Sequence, residues 1–250
     1  MSGGHEWLNL VEVSGPFLAV PVLRDAFPQG LEELDAGRAR RLRSAYDEWR
    51  DAVDAVDPAL DALHDAWVAE VLRTALDLDE STLRAGDEAG DSVRTLLAEH
   101  DHTVVPEFVV VDPTRGHSPI LPVHVFPPDT DLDATRRFDG LRSSAGDRMA
   151  LQLRALGIPV GLVTNGERWM VVHAPVGHVA TFASWYARLW GQERSTLRAF
   201  VSLLGVRRFF GPADERLPSL FERSLEHQDE VTEALGEQVA RGEEVALALG

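Results

Sequence analysis

Apolar residues recur at helical spacing through the first hundred residues of the chain. This spacing predicts helices at 17–27, 35–56, 57–76 and 91–99. Asp35 is placed to cap the second of them, and Pro21 is expected to kink or interrupt the first. The N-terminal segment is therefore expected to be mainly helical.

The pattern changes near residue 103, where short apolar and β-branched runs replace the helical spacing. These runs predict strands at 103–111, 120–126, 158–164 and 168–173. Asn165-Gly166 separates the last two, and both residues tolerate the positive φ of a tight hairpin turn. An arginine-bearing helical region is predicted at 136–156, ending at Gly157. We expect a mixed sheet with helix 146–156 on one face, packed against Trp169.

Helical spacing returns after the hairpin. It predicts helices at 184–190, at 195–204 with Gly205 closing it, and from about Pro218 to the chain end. Because the last pattern is still amphipathic at residue 250, we expect this chain to have been cut from a longer one.

Composition excludes several kinds of chemistry. The 250 residues contain no cysteine and no lysine, which rules out disulfides, thiolate metal sites, a P-loop lysine and a lysine Schiff base. There is no signal peptide and no apolar run of membrane-spanning length, so we expect a cytoplasmic protein without a membrane partner.

Charged residues are unevenly distributed along the chain, which has a net charge of −17. Residues 136–208 hold 11 arginines against four acids, whereas the rest holds 13 against 37. The division predicts either a basic face that binds DNA weakly or scattered arginines on a solvated surface. The candidate DNA-binding residues are Arg136, Arg137, Arg142, Arg148, Arg207 and Arg208.

The order of helix, strand, Thr-Asn-Gly turn and Trp-bearing strand resembles the nuclease-like domain at the N-termini of type I and type IIG restriction enzymes. Residues 161–190 and 193–210 further resemble the N-terminal region of large bacterial DNA adenine methylases, in particular those of the DISARM phage-defence systems. The resemblance implies an S-adenosylmethionine-dependent methylase domain beyond Gly250 and no cofactor within this chain.

The resemblance also implies a fold class and a division of the chain. The expected fold is an α/β (α+β) protein with a restriction-endonuclease-like core and a mixed sheet. The division gives a helical segment at 1–100, a degenerate nuclease-like core at 101–192 and a helical extension towards the missing methylase domain at 193–250.

In the families that it resembles, a first acidic residue follows a proline, the next strand supplies Glu-x-Lys, and the following helix often carries a glutamine. The resemblance places Glu107 at the first position and His124 and Phe126 at the glutamate and lysine positions, with Gln152 on the helix. Metal-dependent hydrolysis needs the carboxylate and the lysine that His124 and Phe126 replace. We therefore expect no catalysis by these 250 residues.

Three functions remain open from the sequence. The first is a non-catalytic nuclease-like module that contacts DNA or other subunits of a defence system. The second is a metal-dependent endonuclease that uses Glu107, His124 and either Asp129 or Asp131 as ligands. The third is a purely structural scaffold for the methylase.

Overall fold

A computed structural model describes residues 6–97, 102–138 and 141–248. Its α-helices are α1 Val20–Ala26, α2 Ala36–Ala55, α3 Leu60–Glu70, α4 Ala145–Leu156, α5 Arg194–Leu204, α6 Arg207–Phe210 and α7 Leu217–Ala248. Its strands are β1 Glu12–Ser14, β2 Leu83–Ala85, β3 Thr95–Leu97, β4 His102–Val104, β5 Phe108–Asp112, β6 Ser118–Val125, β7 Arg136–Phe138, β8 Leu141–Ser143, β9 Val160–Thr164, β10 Arg168–His173 and β11 Thr181–Tyr186. No helix of the described residues is both long and apolar enough to cross a membrane.

The predicted helices at 35–56 and 57–76 are confirmed. Asp35 caps α2, and its carboxylate accepts hydrogen bonds from the amides of Gly37 (2.9 Å) and Arg38 (3.1 Å). Helix α3 continues into a π-helical turn at Val71–Ala75, which completes the predicted span. Pro21 does not interrupt α1, because it lies in the first turn, where its missing N–H has no helical partner to lose.

A seven-stranded mixed sheet forms the centre, in the order β1-β11-β10-β9-β6-β5-β2. Its neighbours pair antiparallel except β6 and β9, which are parallel. Helix α4 lies in the connection between those two strands, as a parallel pair requires a crossover. The mixed α/β class is therefore confirmed. Strands from all four predicted regions lie in the sheet, but the region predicted at 103–111 is divided, because residues 103–104 belong to β4, which pairs with β3 in a separate sheet.

Helices cover both faces of this sheet. Helix α4 packs on one face against Val163, Met170 and Val172. The opposite face carries the larger core, where Trp169 meets Phe200 of α5 and Trp190. The prediction that Trp169 packs against α4 is wrong: strand alternation places Met170 there instead.

Two predicted helices are wrong, and a third, predicted at 136–156, is confirmed only from Ala145 onwards. Residues 181–186 form the strand β11, with only a 3-10 turn at Ala187–Leu189 after it. The arginine-bearing stretch at 136–143 is a separate two-stranded hairpin, β7–β8, and α4 begins only at Ala145. Residues 91–97 contain a 3-10 turn and β3, and the last two positions of the helix predicted at 91–99 lie outside the described residues.

The large core draws on all three segments of the predicted division. Trp67 of α3, Leu162 of β9 and Phe221 of α7 belong to the same buried cluster. The N-terminal and C-terminal segments are also hydrogen-bonded to each other, since the amide of Ala19 donates to Ser224 Oγ at 3.0 Å. Strand β1 likewise pairs with β11. The three segments therefore share one core, and the first two also share one sheet.

Candidate functional site

Glu107, His124 and Gln152 meet where β5, β6 and α4 come together. His124 points from β6 towards α4, because it alternates with the inward-facing Val123 on the opposite face. Glu107 precedes β5, and Gln152 lies on the inner face of α4. The structure thus brings together three of the four positions that the resemblance assigns to a nuclease site.

Direct hydrogen bonds connect these three side chains. His124 Nε2 lies 2.8 Å from Gln152 Oε1, and its Nδ1 lies 3.3 Å from Glu107 Oε2. The Gln152 amide nitrogen donates to the carbonyl of Val93 at 3.1 Å, which turns its oxygen towards the histidine. Both ring nitrogens therefore lie against oxygen atoms of the network.

Burial closes the network on one side only. Gln152 is fully buried and His124 is 2% exposed, whereas the Glu107 side chain is 47% exposed. Glu107 Oε2 also accepts a hydrogen bond from the amide of Val125 at 2.8 Å. The carboxylate therefore holds the end of β6 and the imidazole together, while almost half of the Glu107 side chain is exposed to solvent.

Phe126, at the fourth position, is a packing residue. Its side chain is 8% exposed and belongs to the apolar cluster that α4 forms with the sheet. Its amide donates to Thr164 O at 2.8 Å, and its carbonyl oxygen lies 2.9 Å from His64 Nε2. Helix α3 of the N-terminal segment thus contacts the end of β6 at Phe126, the position to which the sequence resemblance assigns the lysine of a nuclease site.

His64 is a buried polar residue that the sequence interpretation missed. Trp49 Nε1 donates to its Nδ1 at 3.1 Å, so Nε2 carries the ring hydrogen and donates to Phe126 O. Burial lowers the pKa of His64, which favours this neutral form. The signal for its role was its position among apolar residues at helical spacing, between Leu60 and Trp67.

Asp129 and Asp131 do not join Glu107 and His124. Both aspartates are exposed in the loop after β6, where Asp131 accepts a hydrogen bond from the amide of Asp133 at 3.0 Å. Among residues 6–97, 102–138 and 141–248, no three His, Asp or Glu side chains are grouped as metal ligands.

The six candidate arginines fall into two separate groups. Arg136, Arg137 and Arg142 are exposed on the β7–β8 hairpin, and Arg148 is buried on α4 nearby in the chain. Arg207 and Arg208 lie on α6, which packs with the core on the opposite face of the sheet. The structure therefore does not bring all six onto one surface.

Arg208 has a structural environment. Its guanidinium donates to the carbonyls of Ser202 (2.8 Å), Glu215 (2.9 Å) and Ala26 (3.3 Å), and it lies over the ring of Phe27 at 4.5 Å. Burial lowers its pKa. Arg207 is exposed but paired with Glu32 at 3.5 Å.

The hairpin arginines differ from these two in their surroundings. The ion pairs among the described residues include none to Arg136, Arg137 or Arg142. Three exposed positive charges are therefore concentrated within eight residues of a short hairpin.

Comparison of the chain with protein-family models, with curated proteins and with solved structures finds no match.

Proposed function

We propose that this chain is a non-catalytic, nuclease-derived module of a DNA adenine methylase, and that it contacts DNA through the β7–β8 hairpin. Its methylase domain, with the S-adenosylmethionine site, would lie beyond Gly250. Other defence-system subunits are further candidate partners of the same module.

The closed network of Glu107, His124 and Gln152 carries the proposal. These positions were assigned from a resemblance in sequence, and they lie within hydrogen-bonding distance in space. They are held by two antiparallel strands, a crossover helix and a third strand parallel to the second. This arrangement supports a restriction-endonuclease-like origin for the core.

The same network supports the absence of catalysis. Hydrolysis of a phosphodiester requires a metal ion or a base that reaches the attacking water. His124 is buried with both nitrogens engaged, and Phe126 provides no polar group. Glu107 alone retains an exposed carboxylate oxygen.

Purified chain incubated with Mg²⁺ or Mn²⁺ should therefore leave plasmid DNA intact. A gel that resolves supercoiled, nicked and linear forms checks this result. The matched control is Glu107→Ala, which removes the only carboxylate of the Glu107–His124–Gln152 network. Cleavage by the unmodified chain that this substitution abolishes would instead establish the metal-dependent endonuclease.

DNA binding should be weak, roughly micromolar or worse at physiological salt, because three exposed arginines act within a strongly acidic chain. Changing Arg136, Arg137 and Arg142 to glutamate should abolish it. Fluorescence anisotropy with a labelled duplex measures the loss.

Helix α2 offers a control of equal charge. Arg40, Arg41 and Arg43 are exposed, and the last two pair with Glu70 (2.9 Å) and Asp47 (3.8 Å). Their reversal to glutamate should change DNA affinity little. Equal losses from both triple variants would mean diffuse electrostatic attraction, and absence of binding by the unmodified chain would leave the scaffold function.

A further inference from the structure

Arg137 and Arg142 are direct cross-strand partners in the β7–β8 hairpin. Side chains at such positions share one face of the ribbon, with their Cβ atoms about 4.5–5.5 Å apart. Two guanidinium groups are therefore held next to each other by the backbone pairing.

This juxtaposition destabilises the isolated hairpin. Like charges directly opposite each other in a sheet repel, and a two-stranded hairpin is marginally stable by itself. Both arginines are exposed, and the described residues supply neither with an ion-pair partner. An anion bound between the two guanidinium groups would attract both of them and offset their mutual repulsion.

Arg136 is placed differently. It pairs with Ser143, which is 6% exposed, so this pair lies on the ribbon face that is turned towards the protein. The pair Arg137 and Arg142 lies on the other face, which is turned outwards. Arg137 and Arg142 therefore form a pair on the outward face of the hairpin, whereas Arg136 lies on the other face.

We propose that Arg137 and Arg142 together bind a single phosphate group, and that Arg136 is not part of this clamp. The planar fork of each guanidinium can donate two hydrogen bonds to phosphate oxygens, and two arginines on one face can share the same group. The ligand is a phosphate of the DNA backbone, so this clamp deepens the proposed function and rests on it for the source of the phosphate.

Salt dependence distinguishes one shared phosphate from two separate ones. DNA affinity of the chain should be measured at several salt concentrations, with Arg137→Gln, Arg142→Gln, the double variant and Arg136→Gln. Each variant of the pair should weaken binding roughly tenfold. The double variant should lose little more DNA affinity than either single variant. In the double variant, the slope of log affinity against log salt concentration should be smaller by about one, which corresponds to one phosphate contact.

A second measurement tests the clamp without DNA. Inorganic phosphate should raise the melting temperature of the chain more than chloride does at equal ionic strength, and either pair variant should remove the difference. Without phosphate, Arg142→Glu should raise the melting temperature, because it converts a repulsive pair into an attractive one.

The outcomes separate the clamp from the proposed function. A salt slope that falls by two, losses that add fully, an equal effect of Arg136→Gln, or DNA binding unaffected by the pair variants would each overturn the clamp. Phosphate stabilisation that depends on the pair, in a chain that does not bind DNA, would retain the clamp and overturn the DNA function. If neither DNA nor phosphate has an effect, both fail.

Discussion

Gly166 is the residue at which turn conformation and packing act together. Its φ is 86°, and a Cβ atom there would lie 2.7 Å from Trp49 Cζ2 and 2.9 Å from His64 Cε1. Its carbonyl oxygen accepts hydrogen bonds from the indoles of Trp67 (2.7 Å) and Trp169 (3.1 Å). The hairpin tip is therefore embedded beneath α2 and α3 and is not a free surface turn.

Gly166→Ala should lower the free energy of unfolding by roughly 2–5 kcal/mol, because backbone strain and overpacking both contribute. Gly177→Ala is the matched control, since Gly177 has a φ of 84° and open space around the new Cβ. Its cost should be the strain alone, about 1–2 kcal/mol. Urea unfolding of both variants measures the difference, and equal losses would mean that Trp49 and His64 do not confine the turn.

His173 makes the stability depend on pH. It is 3% exposed and stacks on Phe221 at 4.1 Å, and burial lowers its pKa to about 4. Because the folded pKa is below the unfolded value of about 6.5, its contribution is complete above pH 6.5 and is lost as pH falls towards 4. The depressed pKa of His64 acts in the same direction.

Between pH 7.5 and pH 5, protonation linked to His173 should lower the free energy of unfolding by about 2 kcal/mol. His173→Phe keeps an aromatic ring against Phe221 and removes the titrating group. Urea unfolding at both pH values should therefore show a smaller pH effect in this variant. The same pH effect in both proteins would contradict the assignment.

At the scale of elements, local signals predicted the helices that carry their own start and stop residues. Ser144 caps α4 through the amide of Asp147 at 3.1 Å, and Gly157 ends it with a φ of 68°. Helix α2 is similarly defined by Asp35. Each capping hydrogen bond joins residues only two or three positions apart, so it can be predicted from the local sequence.

Tertiary pairing decided the elements that were predicted wrongly. Strand β11 lies between β1 and β10, and its paired residues are 8 to 18 positions away in β10 and 168 to 172 positions away in β1. Both faces of the sheet are covered, so the alternation of Trp169 and Met170 could not show which of them meets α4. The sequence predicts the alternation of side chains along such a strand, but it does not show which helices cover each face of the sheet.

The candidate site was predicted in part for the same reason. The resemblance to nuclease-like domains grouped Glu107 with His124 and Gln152, and the structure places the three side chains together. The direction of the Gln152 amide depends on the carbonyl of Val93, and the contact of His64 with Phe126 joins residues 62 positions apart. Neither interaction leaves a local pattern in the sequence.

At the scale of the whole molecule, the predicted core at 101–192 shares its sheet with the N-terminal segment and its apolar cluster with both flanking segments. Removing those segments would delete β1 and β2 and expose Trp169 and Trp185, which pack against Phe200. A fragment of residues 101–192 should therefore lack a cooperative thermal transition, while the full chain shows one. Near-ultraviolet circular dichroism during heating measures this, and a sharp transition in the fragment would establish an independent domain.

The bond between Ala19 and Ser224 also sets an order of events during synthesis. The two residues are 205 positions apart, so translation at about 5–20 residues per second separates their appearance by roughly 10–40 seconds. A similar interval separates the synthesis of β1 from that of β11, its partner in the sheet. We therefore expect the segment around β1 and Ala19 to leave the ribosome well before its native partners, and to depend on chaperones that shield it until they are synthesised.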